Sequence, residues 1–348
     1  MAAHGIADVV VADAQVRPQW RIGEAIPPAS GAVLRRLGLW DAFLAQGHLP
    51  SVGSCASWGK AELGYNDFVL DMQGRGWHLD RAAFDAMLAD AVVARGSALV
   101  RGYRLRAAKC GEDGDCRLGF EGEDGARIEI AAGFLVDATG LAAGAVRRLG
   151  VARNQIDCLA VVSALFDLHA PDGVPTQSLL EACDYGWWYL AKLPKDRLIA
   201  ALAVDPAEHR RFGEAAVWLT HLRRTAHAAR WLTHGKAAFC GNGELATALA
   251  PSAILSRVVG ERWLAVGDAA SSSDPVSAQG IVKALCDGEA AAEAIAAFLA
   301  GEGEAQLNTY QDGVFARFRD YLRLRQYLYG LERRWPRAPF WQNRLLPR

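Results

Sequence analysis

The segment Trp263-Leu-Ala-Val-Gly267-Asp268-Ala-Ala270-Ser-Ser-Ser-Asp274-Pro275-Val-Ser-Ala278-Gln279-Gly280-Ile281 restricts the fold more than any other part of the chain. An apolar strand runs into Gly-Asp, crosses a polar loop broken by a proline, and opens a long Ala-rich helix after Gly280. A helix start carries unpaired backbone N–H groups and roughly half a positive charge, so it attracts phosphate or an anionic ring system. Gly267 lets the backbone approach a ligand, and Asp268 offers a carboxylate that accepts hydrogen bonds from sugar or ribityl hydroxyls. Pro275 stiffens the loop. The outline is that of a nucleotide-cofactor site, although an ordinary strand, Asp-capped turn and amphipathic helix would read the same way, so other segments must decide.

With 348 residues the chain can hold one large or two medium domains, and its 51% hydrophobic content supplies a core. Thirty-eight basic against 39 acidic residues give a net charge of −1, with no basic run dense enough to track a phosphate backbone. Nucleic acid is therefore not an expected partner. The seven cysteines, Cys55, Cys110, Cys116, Cys158, Cys183, Cys240 and Cys286, are scattered and never form a C-x-x-C pair, which fits a reducing cytoplasm and no metal cage. No window approaches the roughly 20 apolar residues that span a bilayer, and the start lacks a charged leader followed by an apolar core. A cytoplasmic protein without a membrane partner is expected.

Gly5 to Asp13 reads as a short buried strand ending in an acid. In dinucleotide folds such an acid, at the end of the second strand, binds the adenosine ribose about 20 residues after a glycine-rich turn. That turn is not in this sequence, which predicts a cofactor layer truncated at its N-terminus. Ala29 to Leu37 and Ala82 to Ala94 read as helices, the first closed by Gly38 and the second capped by Asp80. Ser51 to Asp71 suggests short strands, and Ser97 to Ile130 an antiparallel meander with turns at Glu112-Asp-Gly and Glu123-Asp-Gly. Gly133 to Gly140 is a strand with a tight turn. Residues 158 to 205 are strand-rich around Tyr185-Gly-Trp187-Trp188-Tyr189, 207 to 235 look helical, and Ile281 to Ala300 and Asn308 to Arg334 read as two further helices.

This alternation predicts an α/β fold: a Rossmann-like cofactor layer interleaved with a mainly antiparallel β-sheet substrate domain, and a helical C-terminus. The expected boundaries are 1–50, 77–150 and 250–300 for the cofactor layer, 51–76 and 151–249 for the substrate domain, and 301–348 for the helical segment.

Taken in order, Gly23-Glu24, His78-Leu-Asp-Arg81, Asp137-Ala-Thr-Gly140, Gly267-Asp268-Ala-Ala and Asp274-Pro275-x-Ser-x-Gln279-Gly280-Ile resemble the flavin-dependent monooxygenase superfamily with the p-hydroxybenzoate hydroxylase type of FAD fold. The Gly-Glu-x-x-Pro loop, Trp77-His-Leu-Asp-Arg81 and Gly186-Trp-Trp-Tyr with Leu193-Pro194 are most similar to its tryptophan-halogenase-like branch. That branch includes flavoproteins that mature tryptophylquinone cofactors.

The resemblance implies FAD as cofactor, bound by Asp13, Glu24, Arg81, Asp137, Gly140, Gly267, Asp268, Gln279, Gly280 and Ile281. It places Pro275 near the flavin face where oxygen reacts. His78, with an ordinary pKa near neutrality, is the candidate for proton handling. Trp187 and Trp188 are candidates for an aromatic-substrate pocket, but neighbours on a strand point to opposite faces, so at most one faces substrate.

The implied reaction is hydroxylation of an aromatic small molecule or a protein-bound tryptophan by oxygen activated on reduced FAD. NAD(P)H or a partner flavin reductase would supply the electrons. Halogenation is the second reading: chlorinating members resemble each other through a W-x-W-x-I-P segment and a lysine, whereas here Trp187-Trp188-Tyr189 and Leu193-Pro194 stand in that segment and only Lys60 lies in the right region. A flavoprotein fold that binds without catalysis is the third. Ala278 stands where the branch often has glycine.

Overall fold

Side chains of a strand point alternately to the two faces of its sheet. In the computed structural model, the strand Gly186–Leu193 sorts its aromatic residues this way in the middle of a nine-stranded sheet. Residues 1, 5–6, 8–17, 20–68, 73–111 and 115–345 are described. Trp188 and Leu190 join Ala160, Val162 and Leu202 in a core closed by Trp218, Leu222 and Trp231 from the helices Ala215–Arg223 and Ala228–His234. Trp187 faces the other way, among Leu159, Val161 and Ala203, beneath Tyr329, Phe340 and Trp341 of the helices Ala305–Leu331 and Pro339–Leu345. Because both faces are covered, the central strands Arg153–Leu168 and Arg197–Val204 read as long apolar runs rather than as an alternation.

The strand order is Ser271–Ser272, Ala246–Leu255, Arg153–Leu168, Arg197–Val204, Gly186–Leu193, Ser178–Cys183, Gly53–Ser57, Gly64–Asp67, with Ala237–Phe239 also on Arg153–Leu168. Among the described residues, Ser178–Cys183 and Gly53–Ser57 are its one parallel pair. Ser271–Ser272 matters for the site, since it fastens the loop that follows Gly267 to the edge of this sheet.

A second layer holds parallel pairs, Leu135–Asp137 on Trp263–Ala265 and Val10–Asp13 on Ala98–Arg101. The helix Gly280–Leu299 packs on this layer, and the helix Ala305–Leu331 packs on that helix. Val10–Asp13 is exposed rather than buried as expected, with Val10 at 44% and Val11 at 36%. Among the described residues it pairs on one side only, with Ala98–Arg101, and all four of its residues are exposed.

The expected meander forms from Tyr103–Cys110, Cys116–Gly122 and Arg127–Ala132. Its Glu112-Asp-Gly turn lies outside the described residues, as do residues 69–72 at the end of the Ser51–Asp71 stretch. A disulfide joins Cys110 and Cys116, which sit opposite each other in the strand register. The pairing departs from the expectation that the scattered cysteines fit a reducing cytoplasm, because strand register, not spacing along the chain, brings these two together.

Local signals were accurate at helix ends. Asp80 Oδ1 accepts from the Ala83 N–H at 3.2 Å to start Arg81–Ala94. Gly38, at φ +64°, ends Ser30–Arg36 and lets the Leu39 N–H return to the Leu34 carbonyl at 2.8 Å. No helix among the described residues is long and apolar enough to cross a membrane.

Candidate active site

The parallel strands Leu135–Asp137 and Trp263–Ala265 end side by side, where the Val266 N–H donates to the Asp137 carbonyl at 3.0 Å. Ligands of open α/β sheets bind beyond such carboxyl ends. Both strands run into a glycine turn beside an aspartate, yet the two aspartates do different things. Asp137 is 1% exposed. Its Oδ1 accepts from the N–H and hydroxyl of Thr139 at 2.9 and 2.7 Å, and its Oδ2 from the N–H groups of Ala145 and Val146 at 2.8 and 2.9 Å. Both oxygens therefore close the turn and start the helix Gly144–Arg148, so Asp137 shapes the site instead of reaching into it. Gly140, at φ +66°, sits in the turn that packs against Gly267–Ala270.

Asp268 is the opposite case. Its carboxylate accepts no hydrogen bond from the described residues, although burial pushes its pKa up and Lys283, Arg153 and Arg21 pull it back down. A desolvated acceptor among three cations, bonded to none of them, suits the hydroxyl donors of a ribityl chain. Gly267 aims it, since φ is +56° there and a Cβ would lie 3.2 Å from that of Ala284. Arg153 ties the surroundings together by donating to the carbonyls of Leu141 and Asp268 at 2.8 and 3.2 Å and to the Ser272 hydroxyl at 2.8 Å.

The loop after Ser272 is held from beneath by Asp274, 1% exposed, whose pKa is raised by burial. Its carboxylate accepts from the Val276 N–H and the Tyr329 hydroxyl, both at 2.9 Å, while its own N–H donates to the Tyr321 hydroxyl at 2.8 Å. This leaves Pro275 exposed on a short turn. Ala278 closes the turn at φ +50°, a left-handed conformation that disfavours a Cβ, which is why glycine suits this position. Gln279 and Gly280 are exposed, and the Gln279 side chain does not cap the helix. A Cβ on Gly280 would meet nothing within 4 Å, so the helix start faces open space. Ile281 turns inward against the Ile26, Leu79 and Phe84 cluster.

Glu24 and Arg81 brace the neighbouring loop. Glu24, buried, accepts from the Gly23 N–H at 2.9 Å; burial raises its pKa, eased by the Tyr189 hydroxyl and Arg81. The Arg81 guanidinium donates to the Gly23 carbonyl at 2.7 Å and pairs with Asp85 at 3.4 Å, so its charge is turned onto the loop.

His78 does not meet the expectation of proton handling. It is 1% exposed, its Nδ1 lies 2.7 Å from the Lys192 carbonyl and its Nε2 2.9 Å from the Ser178 hydroxyl. A carbonyl only accepts, so Nδ1 carries the proton and Nε2 accepts from Ser178. Burial lowers the pKa to about 4, leaving a neutral ring with no free nitrogen that locks the strand Gly76–His78 onto the large sheet.

Asp13 is exposed and accepts from the Gln15 N–H at 2.9 Å. Trp188 is sealed in the helix-covered core against Trp218, and Trp187 donates to the Tyr329 hydroxyl at 3.1 Å beneath Trp58 and Trp341, so neither lines an open pocket. Lys60 is exposed on a turn pinned by Glu332, which accepts from the Gly59 N–H at 2.7 Å.

The profile of a family described as FAD binding domain matches residues 1–322. The chain belongs to this FAD-binding family. It is 30% identical over 331 residues, 94% of its own length and 87% of the other's, to LodB of Marinomonas mediterranea, which is named as an FAD-dependent oxidoreductase. Among solved structures, the flavin-dependent halogenase CmlS superposes on all of this chain with a TM-score of 0.87 at 21% identity, the match spanning 64% of CmlS. The peptidyl tryptophan dihydroxylase QhpG, essential for tryptophylquinone cofactor biogenesis, matches 99% of this chain and 75% of its own with a TM-score of 0.72 at 23% identity. The chain is an FAD-dependent oxidoreductase, and FAD is its cofactor.

The residues present fit that cofactor at its flavin end: a carboxylate at Asp268 that accepts no hydrogen bond from the described residues, an uncapped helix start at Gly280 with room beside it, and a glycine turn pressed against a helix. Sequence reasoning quoted Asp274 without giving it a role, and missed Arg153, Lys283, Asp287 and Tyr329. Only Lys283 and Asp287 left a trace, two charges four apart on an otherwise Ala-rich helix.

Proposed function

We propose that this chain is an FAD-dependent monooxygenase that hydroxylates an electron-rich aromatic ring, borne by a small molecule or by a tryptophan within a polypeptide. The observation that carries the reading is the sheet face between the two cofactor loops. Ile22, beside Gly23–Glu24, and Val276, beside Pro275, both pack on the cluster whose buried centre includes Trp187, and the half-buried Trp58 and Tyr189 form its aromatic edge. A flat apolar ring fits such a wall.

Bound FAD, once reduced, supplies the two electrons that split dioxygen between the ring and water. The protein's share is placement. Asp268 accepts the ribityl hydroxyls, and the start of Gly280–Leu299 lends its positive end to the electron-rich edge of the ring system. Asp274, held by Tyr329, fixes the height of Pro275, and the aromatic wall keeps water away. In this reading the cofactor layer spans 1–50, 77–150 and 250–300, and the electron donor is NAD(P)H or a partner flavin reductase.

The likeness to QhpG supports a peptide-borne tryptophan as substrate. The exposed position of Lys60 favours hydroxylation over halogenation. The test is to supply the FAD-loaded protein with a reductase, NADPH and labelled dioxygen, together with a tryptophan-containing peptide, free tryptophan or indole, in the presence of chloride and bromide. Labelled oxygen in an aromatic product is expected. A halogenated product, or hydrogen peroxide alone with every substrate, overturns the reading.

A further inference from the structure

Helix Gly280–Leu299 does more than present its first turn. One turn of its inner face is built around Gly267: the Lys283 ammonium donates to the Gly267 carbonyl at 2.9 Å, and the Gly267 N–H donates to Asp287 Oδ2 at 3.2 Å. Lys283 and Asp287 pair with each other at 2.8 Å, one helical turn apart, and Ala284 between them touches the space a Gly267 Cβ would fill. Asp287 is fully buried, and its second oxygen accepts from Arg317 of the next helix at 2.9 Å. Both backbone polar groups of Gly267 are thus bonded by one side-chain ion pair, the carbonyl accepting from the Ser271 N–H as well.

We infer that Lys283 and Asp287 are positioning residues for the cofactor, fixing the Gly267 turn, and with it the aim of Asp268, against the start of their own helix. The inference rests on the reading of Asp268 and Gly280 as cofactor contacts. An α-helix rises about 1.5 Å per residue and is stiff over two turns, so residues 280 to 287 act as a ruler between those two contacts. A strand-end turn on its own has no such reference. The arrangement also separates two roles that a buried ion pair ordinarily merges. Lys283 touches both Asp287 and the Gly267 carbonyl, whereas Arg317 touches Asp287 and no atom of the turn.

The experiment compares Lys283→Met with Arg317→Met by titrating the cofactor-free proteins with FAD and following flavin fluorescence. Each variant removes one cation from Asp287, Lys283 being the more buried of the two, so a role confined to neutralising Asp287 predicts weakened binding in both and no recovery with a neutral replacement at 283. The positioning role predicts that Lys283→Met weakens FAD binding roughly tenfold or more, the loss of a charged hydrogen bond, while Arg317→Met stays within about threefold of the parent. Lys283→Gln keeps an N–H donor for the Gly267 carbonyl without the charge and is expected to recover most of the affinity. Equal effects of the two methionine variants, or no recovery with glutamine, overturn the inference. Asp268→Ala is titrated alongside. If it binds FAD like the parent, the cofactor-site reading falls and the inference with it; if it fails to bind while the two methionine variants behave alike, only the inference falls.

Discussion

Replacing two glycines of the site by alanine should move stability in opposite directions while weakening cofactor binding in both cases. At Gly267 the backbone is at φ +56° and an added Cβ would stand 3.2 Å from the Ala284 Cβ. The left-handed conformation alone costs an L-residue about 1–2 kcal/mol, and the tight contact adds to it. With about 2–4 °C of melting temperature per kcal/mol for a domain of this class of size, Gly267→Ala should melt several degrees below the parent. At Gly280 an added Cβ meets nothing within 4 Å. There alanine should stabilise the cofactor-free protein by about 0.4–1 kcal/mol, through lower unfolded-state entropy and better helix propensity. In the cofactor-loaded protein the same methyl intrudes on the space assigned to FAD, and affinity should fall by roughly tenfold, about 1.4 kcal/mol. Circular dichroism melts of the stripped proteins and fluorescence titrations with FAD measure the two quantities separately. A Gly280→Ala protein that binds FAD as tightly as its parent would refute the placement of the cofactor against this helix, and an unaltered melting temperature for Gly267→Ala would refute the strain argument.

Three further outcomes are expected. Asp268→Asn removes a desolvated charge, so the stripped protein should melt at or above the parent temperature while FAD retention falls; a variant that stays fully yellow after gel filtration contradicts the assignment. Acid should destabilise the fold through His78 and His48, whose pKa values are lowered by burial from 6.5 to about 4. The unfolded chain binds protons that the folded form refuses, so this stability is complete above pH about 6.5 and is lost as pH falls through about 4, His78 accounting for about 3 kcal/mol. Urea unfolding of His78→Gln across that window should show a shallower pH slope, and an unchanged slope would count against the buried neutral ring. Lys60→Ala, finally, should leave product formation unaltered, and loss of product on that change would revive the halogenase-like reading.

Much of the cofactor layer was legible from local chemistry. Gly38, Asp80 and Gly267 each sit where the backbone needs a left-handed residue or a cap, and those needs are met within a few residues of chain. The alternation rule also separated Trp187 from Trp188 correctly. Less legible was anything decided by what lies across a face. The strand at Val10–Asp13 looked buried because it is apolar, but burial depends on a covering layer that a strand's own residues do not reveal. Cys110 and Cys116 looked unrelated until strand register set them opposite each other. His78 looked poised for proton transfer because its ordinary pKa is near neutral, whereas Lys192 and Ser178, 114 and 100 residues away, use both of its nitrogens.

The contrast between Asp137 and Asp268 marks the boundary. By itself the sequence determined that two apolar strands each end at an aspartate beside a glycine turn, and that a long helix opens at Gly280, since these follow from dihedral preferences and hydrophobic period over short stretches. Only the tertiary structure decided which aspartate is available to a ligand. Asp137 is consumed by the start of its own helix at Ala145 and Val146, while Asp268 is left among Lys283 of the helix that follows it and Arg153 and Arg21 from distant parts of the chain. The same packing set Lys283 and Asp287 against Gly267 and Tyr329 against Asp274. A carboxylate's partners are fixed by distance in space, and distance in space is what a linear pattern does not carry.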